Sequence, residues 1–396
     1  MKLNDVIELT KSAIAQAMGT EYMASLGDLK AMDSYKLVDV GRDVTDSGNV
    51  EKFTNALISL IGKLDLDLRE YTGKLKYMYV ESFEWGGFVE RVRFGLADVM
   101  SDPMWNLTPN QSYADIEHTF YRPEVQANIF EEGKAIMIPI SIQKDVLKEA
   151  FHSWENLNSF ISGIRVTIHN TLEVMLDSYA HMLISSGIAT SVNTNALNNA
   201  VHLITLAVEE GVEGVTLETT PLQALNNPTF LAFALEKIAE VKSNMSVMST
   251  AYNNGIIPTF DNSPETVLLS YFDRATRMRL KADTFNENLL SIGDYNTVVA
   301  WQGVKGSDGK SFKFDTISKI EISADVTNKL GLGQTAVTVS NVIGVVHDRR
   351  AMGICPFKQK MSTSYTACAD FWNEFHHTLV NYLLDTSYGI VAFVLD

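Results

Sequence analysis

Residues 154–184 read WENLNSFISGIRVTIHNTLEVMLDSYAHMLI, and this stretch decides the fold. Apolar side chains fall at Leu157, Phe160, Ile161, Ile164, Ile168, Leu172, Met175, Leu176, Tyr179, Met182 and Leu183, the three-and-four spacing of an amphipathic helix. No proline interrupts the run, and Gly163 is its weak point. Ser153 fits an N-cap and Gly187 a C-terminal stop. At 1.5 Å per residue the helix reaches about 45 Å, well beyond an ordinary helix. Without heptads, so long a helix serves as a rod on which a sheet packs.

Residues 166–236, which begin inside that helix, contain no Lys or Arg, but do contain Glu173, Asp177, Glu209, Glu210, Glu213, Glu218 and Glu236. Such a stretch faces packed protein and not nucleic acid. The whole chain, 396 residues with 48 acidic and 32 basic side chains, carries −16. Phosphate affinity comes from Lys and Arg displacing counterions, so a groove-reading DNA-binding protein is disfavoured. At 46% hydrophobic the chain has ample material for buried cores, and its length fits two or three compact units.

Upstream of the helix the texture is strand and loop. Phe88–Phe94 alternates after the Gly86-Gly87 turn, Val125–Glu131 alternates again, and Ala135–Ile142 is an isoleucine-rich run interrupted by Pro139. Residues 100–121 between them have no helical period. Two strand-like arms with an unperiodic tip describe a long extended excursion, uncommon inside a compact domain. Its apolar side chains must be buried against another surface, a neighbouring subunit being a candidate. The interface candidates are Phe83, Trp85, Phe88, Phe94 and Trp105, with Arg91 and Arg93 between them. Nearer the N-terminus, Leu3–Met18 and Val50–Leu64 read as amphipathic helices.

Downstream, Pro228 opens a helix through Val241, and Ser263-Pro264 opens another through Met278. Thr297–Trp301 and Ser311–Ile322 read as strands, the second following the hairpin-like Asp308-Gly309 turn. Asn341–His347 is a short apolar strand, Asp370–Leu384 reads as a helix, and Gly389–Leu395 as a buried terminal strand.

Motifs for chemistry are missing. There is no phosphate-cradling G-x-x-x-x-G-K-[ST], no G-x-S-x-G and no H-E-x-x-H, and Gly331-Leu-Gly333 lacks the third glycine of a dinucleotide loop. The Asp43–Thr54 stretch has the sixth-position glycine of a calcium loop but Thr54 where a Glu is needed, and reads as a solvated turn. His376 and His377 read as exposed helix histidines; His169 and His181 lie too far apart to share a metal. Cys355 and Cys368 have no ligand spacing and read as reduced thiols. Neither a signal peptide nor a transmembrane helix is expected, which points to the cytosol. A catalytic pair assembled from dispersed positions stays open.

The order of elements is N-terminal arm, extended excursion, long helix, mixed α/β insertion, and a return to the helix-bearing part. The tail carries Val342-Ile-Gly-Val-Val-His-Asp-Arg-Arg-Ala-Met-Gly353, then Thr363-Ser-Tyr-Thr366, Asp370-Phe-Trp-Asn373 and Gly389-Ile-Val-Ala-Phe-Val394. In this order and these segments the chain resembles the major capsid proteins of tailed bacteriophages, with the α+β Hong Kong 97-type shell fold. The resemblance implies an N-terminal arm (1–73), an E-loop lying over an adjacent subunit (74–141) and an axial domain around five- and six-fold axes (200–347). It also implies a peripheral domain (142–199 with 348–396) holding the spine helix 154–184. It further implies a non-enzymatic subunit, assembled in the host cytoplasm as hexamers and pentamers of an icosahedral virion shell. Its partners would be portal, scaffolding and decoration proteins and double-stranded DNA touched non-specifically, with no cofactor, metal or membrane. The Lys–Asn cross-link of certain relatives is not carried over, because Lys134 and Lys144 have no distinguishing context. Two other readings stand beside this one: an encapsulin-type cellular nanocompartment shell, and a cytosolic α/β enzyme with a dispersed site.

Overall fold

The computed structural model describes residues 75–79, 89–100, 118–130, 133–150, 154–193, 197–254, 257–283, 295–301, 318–324, 335–368 and 370–396, with isolated positions and short runs elsewhere. In chain order the elements are β1 (Val89–Phe94), β2 (Val125–Phe130), β3 (Gly133–Gln143), α1 (Lys144–Ala150), α2 (Trp154–Val192), β4 (Val201–His202), α3 (Leu203–Glu209), α4 (Pro221–Ala224) and α5 (Pro228–Asn244). There follow β5 (Glu265–Leu269), α6 (Ser270–Asp283), β6 (Asn296–Val298), β7 (Ile320–Ile322), β8 (Val337–Val339), β9 (Val342–His347), β10 (Met352–Thr366), β11 (Phe371–Leu384) and β12 (Ile390–Val394). Of the helix expected over Leu3–Met18, residues 11–16 and 18 are helical; Val50–Leu64 and the Asp308-Gly309 turn lie outside the described residues, as does most of Asp43–Thr54.

Helix α2 runs 39 residues, about 58 Å at 1.5 Å per residue, eight residues past the expected end at Ile184. Gly187 does not stop it. A Cβ there would stand 2.4 Å from Met352 Cε and 3.6 Å from Ile390 Cγ2, so the glycine serves close packing on β10 and β12. The small polar residues that follow it bond within the helix and across to the sheet. Thr190 Oγ1 donates to the Ser186 carbonyl at 2.8 Å, and Ser191 Oγ accepts from the Ala392 amide at 2.9 Å. The chain turns instead at Asn198, whose φ of 48° is the left-handed conformation asparagine tolerates.

Two sheets meet along α2. The five-stranded sheet has the order β4-β12-β9-β5-β6, with β9 antiparallel to β12 and β5 and the outer pairs parallel. Its central strands, VIGVVH and IVAFV, are buried at every position, as continuous apolar runs covered on both faces should be. On one face Leu183, Ile184 and Ile188 of α2 pack with Val345, Ile390 and Ala392. On the other, Leu203, Phe230, Leu231, Ile238 and Phe272 from α3, α5 and α6 pack with Ile343, Val346, Val391 and Phe393. Helix α5 starts where expected: Pro228 is its first residue, and the Asn227 side chain accepts from the Thr229 amide at 3.0 Å. The helix expected from Ser263 starts later, because Glu265–Leu269 pairs with both β6 and β9 before the chain coils at Ser270.

The second sheet is the antiparallel β10-β11-β3. Here Asp370–Leu384 departs from the expected helix. Phe371, Phe375, Thr378, Leu379 and Tyr382 mimic helical spacing, but Trp372, Glu374, Thr378 and Val380 alternate inward. Strand β11 pairs with β10 along its whole length and with β3 over most of it, and those two ladders override the local period. His376 and His377 are therefore not exposed helix histidines. They point to opposite faces of a strand, His377 Nε2 lying 2.9 Å from Ser362 Oγ and His376 Nε2 3.7 Å from Glu374 Oε2. Among the described residues no cluster of His, Cys, Asp or Glu could hold a metal, and no helix is long and apolar enough to cross a membrane.

The chain passes between the sheets twice, side by side. The turn from β9 to β10 and the turn from β11 to β12 exchange backbone hydrogen bonds: the Asp348 amide donates to Gly389 at 2.9 Å and the Asp385 amide to Ala351 at 2.7 Å. Strand β12, from the C-terminal segment 348–396, is thereby hydrogen-bonded into the five-stranded sheet. His347, fully buried beside the crossing, has Nε2 2.9 Å from the Tyr77 hydroxyl and Nδ1 2.9 Å from the Asp348 carbonyl. Nδ1 must therefore carry the proton, and Nε2 accepts from Tyr77. Burial lowers the His347 pKa, which keeps the ring neutral. Burial pushes the neighbouring Asp348 up from 3.8 to about 6, although its carboxylate accepts from the Arg350 amide at 2.7 Å.

Two outcomes follow from this packing. A Cβ on Gly344 of β9 would lie 2.5 Å from Leu268 Cδ2 and 2.8 Å from the Val267 carbonyl, and the backbone oxygen cannot yield. Gly344→Val should cost about 2–3 kcal/mol in urea unfolding of the subunit; an unchanged midpoint would contradict the packing. For Asp348, the raised pKa means the native state holds a proton that the unfolded chain has released, so this group's contribution falls as pH rises from about 4 to about 6. Asp348→Asn should flatten that part of the stability profile; an identical slope would show that another group sets it.

Candidate intersubunit site

Strands β1 and β2 form a separate antiparallel ribbon, with Arg91 opposite Asn128, Arg93 opposite Gln126, Val92 opposite Ala127 and Phe94 opposite Val125. The alternation of VERVRF and VQANIF gives each strand two faces of different chemistry. One carries Arg91, Arg93, Gln126 and Asn128; the other carries Val92, Phe94, Val125, Ala127 and Ile129, with Glu90 at one end.

The polar face is turned toward the body of its own chain and sits on the turn 385–388, at the crossing between the sheets. Arg93 Nη1 donates to the Ser387 carbonyl at 2.9 Å, Nη2 donates to Gln126 Oε1 at 2.7 Å, and its guanidinium lies 4.8 Å from the Tyr388 ring centre. Arg91 donates to the Arg350 carbonyl, pairs with Asp385 at 3.6 Å and lies 5.6 Å from the same ring. Gln126 donates to Ser387 Oγ at 3.1 Å, and Asn128 donates to Asp385 Oδ1 at 2.9 Å and to Ser387 Oγ at 2.8 Å. Asp385 Oδ1 also accepts from the Ser387 amide at 3.1 Å, which holds the turn in shape.

The apolar face is turned to solvent. Phe94 is 68% exposed, and Val92, Val125 and Ile129 are exposed beside it. The segments leading away from the ribbon continue the pattern, with Val99 at 96%, Phe120 at 87% and Trp105 at 81%. This inverts the usual arrangement, in which a ribbon's apolar face seeks the core. Isolated two-stranded ribbons are marginal in water, and an exposed apolar ribbon face is a candidate interaction site.

Of the sequence candidates, Phe94 and Trp105 fall on the exposed surface and Arg91 and Arg93 on the inward joint, whereas Phe83, Trp85 and Phe88 lie outside the described residues. Sequence reading missed Val92, Val99, Phe120, Val125 and Ile129, though the alternation in β1 and β2 carried the signal. It also missed the receiving turn, Asp385–Tyr388. No local pattern marks those four residues, and they become a site only through the crossing.

The chain's architecture has known counterparts. A chain in the capsid structure of Staphylococcus phage Andhra superposes with a TM-score of 0.54 at 10% identity, over 84% of this chain and 86% of that one. A chain in the structure of head fiber and inner core protein gp22 of native bacteriophage P68 gives 0.53 at 10% identity, over 82% and 85%. A chain in the capsid structure of the cyanophage P-SCSP1u gives 0.50 at 12% identity, over 83% and 89%. A search of curated proteins finds no match. The shared architecture is the Hong Kong 97-type shell fold expected from the element order. The profile of the Phi29-like phage major capsid proteins matches residues 12–394, nearly the whole sequence, and the chain belongs to that family.

Proposed function

We propose that this chain builds the icosahedral head shell of a tailed phage, and that its β1–β2 arm closes each contact by laying the apolar face onto the next copy. The family and fold are those of structural head proteins, which favours this reading over a cargo-loading compartment or an enzyme. The observation that carries the arm's role is the inverted ribbon, polar side inward and Phe94, Val92, Val125 and Ile129 outward. In a shell of many copies the partner is always at hand, and it is another copy.

Within this reading, residues 74–141 are the E-loop, 142–199 with 348–396 the peripheral domain and 200–347 the axial domain. The subunit is non-catalytic and resides in the virion, having assembled in the host cytoplasm with portal, scaffolding and decoration proteins. An interior built from a chain of net charge −16 repels packed double-stranded DNA and touches it without sequence preference.

The test is assembly. The purified chain should give closed shells or hexamer and pentamer rings in the void fraction of a sizing column, seen by negative-stain microscopy. Phe94→Asp with Ile129→Asp should leave far-UV circular dichroism unchanged and cut shell yield. Burying a large apolar side chain is worth about 2 kcal/mol, and losing one weakens each contact about thirtyfold. A parent chain that stays a compact monomer would overturn the shell reading. A double variant that assembles normally would remove the arm's apolar face from it.

A further inference from the structure

The geometry points to a second role for the ribbon's other face: we infer that Arg91, Arg93, Gln126 and Asn128, seated on Asp385–Tyr388, are positioning residues that fix the arm in its assembly-competent orientation before any neighbour arrives. This rests on the shell reading above and goes beyond it, because it assigns the orientation of the arm to a contact inside one chain.

Four features of the joint carry the inference. First, all four inward side chains of the ribbon's middle bond to the same pair of turns, 348–351 and 385–388, so the ribbon is held at both strands and cannot rotate about either. Second, the receiver is rigid: the turns are tied to each other by backbone bonds and lie between two sheets. Third, the joint is directional. The planar guanidinium of Arg93 bonds in its own plane to Ser387 and Gln126 while standing near the Tyr388 ring, a geometry that lysine's point charge cannot reproduce. Fourth, the joint is polar, and its opposite face is the exposed apolar one. Strand alternation makes the two inseparable: seating Arg91 and Arg93 inward necessarily turns Val92 and Phe94 outward. A fixed arm docks without first losing orientational freedom, which strengthens each contact.

The experiment compares the full-length chain with Arg91→Ala/Arg93→Ala, with Arg91→Lys/Arg93→Lys, and with a lockable variant, Gln126→Cys/Ser387→Cys with exposed Cys368 replaced by Ser. The two new thiols of the lockable variant are bridged by a short bifunctional methanethiosulfonate spacer that reduction releases, because the Gln126 side chain spans more than a direct disulfide can. Hydrogen exchange on the unassembled subunit reads the joint directly. In the alanine pair, amides of Val89–Phe94 and Val125–Phe130 should exchange about tenfold faster or more, while those of β9 and β12 keep their protection. Shell yield should fall in parallel, and the lysine pair should recover only part of both. The bridged, locked variant should assemble as well as the parent. Unchanged exchange in the ribbon of the alanine pair overturns the inference. So does a locked variant that assembles only after reduction, since the arm would then have to leave its seat. A parent chain that forms no shells counts against the shell reading alone, and ribbon exchange in the subunit still decides whether the joint holds the arm.

Discussion

The seam along α2 is the constraint on which the rest of the molecule depends. One helix contributes side chains to a core shared by both sheets: Leu176, Tyr179, Leu183, Ile184 and Ile188 meet Ile136 and Ile138 of β3, Met352 and Ile354 of β10, Val380 of β11 and Ile390 and Ala392 of β12. The sheets share no ladder of hydrogen bonds, so their mutual placement is set by this rod and by the two chain crossings beside it. Close approach is what makes the rod stiff. At Gly187 the helix approaches so closely that a Cβ would displace the end of the Met352 side chain, and the run Ser185-Ser186-Gly187-Ile188-Ala189-Thr190-Ser191 is buried throughout. A joint that must hold an arm at a set angle needs a base that does not flex, and the crossing against α2 supplies one.

Much of this was legible in the sequence, for physical reasons that also mark where legibility ends. Helix α2 announced itself because its apolar residues repeat over eight turns, but its end did not. Gly187 looks like a stop to a reader of local conformation, whereas its use here is to admit Met352, some 165 positions away in the chain. Strands β9 and β12 were legible as unbroken apolar runs between turns. Strand β11 was not, since FWNEFHHTLVNYLL satisfies a helical and an alternating period together, and only the ladders to β3 and β10 decide between them. The candidate site divides the same way. That Phe94 and Trp105 lie on an extended excursion outside the main cores could be read from its strand-and-loop texture. Which face points outward could not, because that depends on where Asp385–Tyr388 lands once both sheets have formed.

The ribbon shows how a fold can leave an apolar surface unsatisfied without disorder. Left alone, Val92, Phe94, Val125 and Ile129 would drive the ribbon to flip onto the body and bury them. Flipping would break the Arg93–Ser387, Gln126–Ser387 and Asn128–Asp385 bonds and leave Asp385, itself buried, without Arg91. Each of those hydrogen bonds is worth about 1 kcal/mol, so losing them together is comparable to the gain from burying one or two apolar side chains. The polar joint therefore offsets the apolar pull, and the exposed face is a consequence of that balance.

The same accounting of cations bears on the charge. Among the described residues, the basic side chains repeatedly face inward or toward nearby acids. Arg91 and Arg93 are in the joint, Arg165 is buried in the flank of α2, and Arg349 bonds Glu265 at 2.7 Å. Lys237 bonds Glu210 and Glu240 at 2.8 Å each, and Arg277 bonds Asp273 at 2.8 Å. With a net charge of −16, the chain attracts neither phosphate nor another acidic copy by long-range charge. Under the proposed shell reading, copies that repel at a distance must gain their contact energy at short range, from apolar surface held in a fixed place, and the outer face of the ribbon, seated through Arg91 and Arg93 beside Tyr388, is the surface proposed for it.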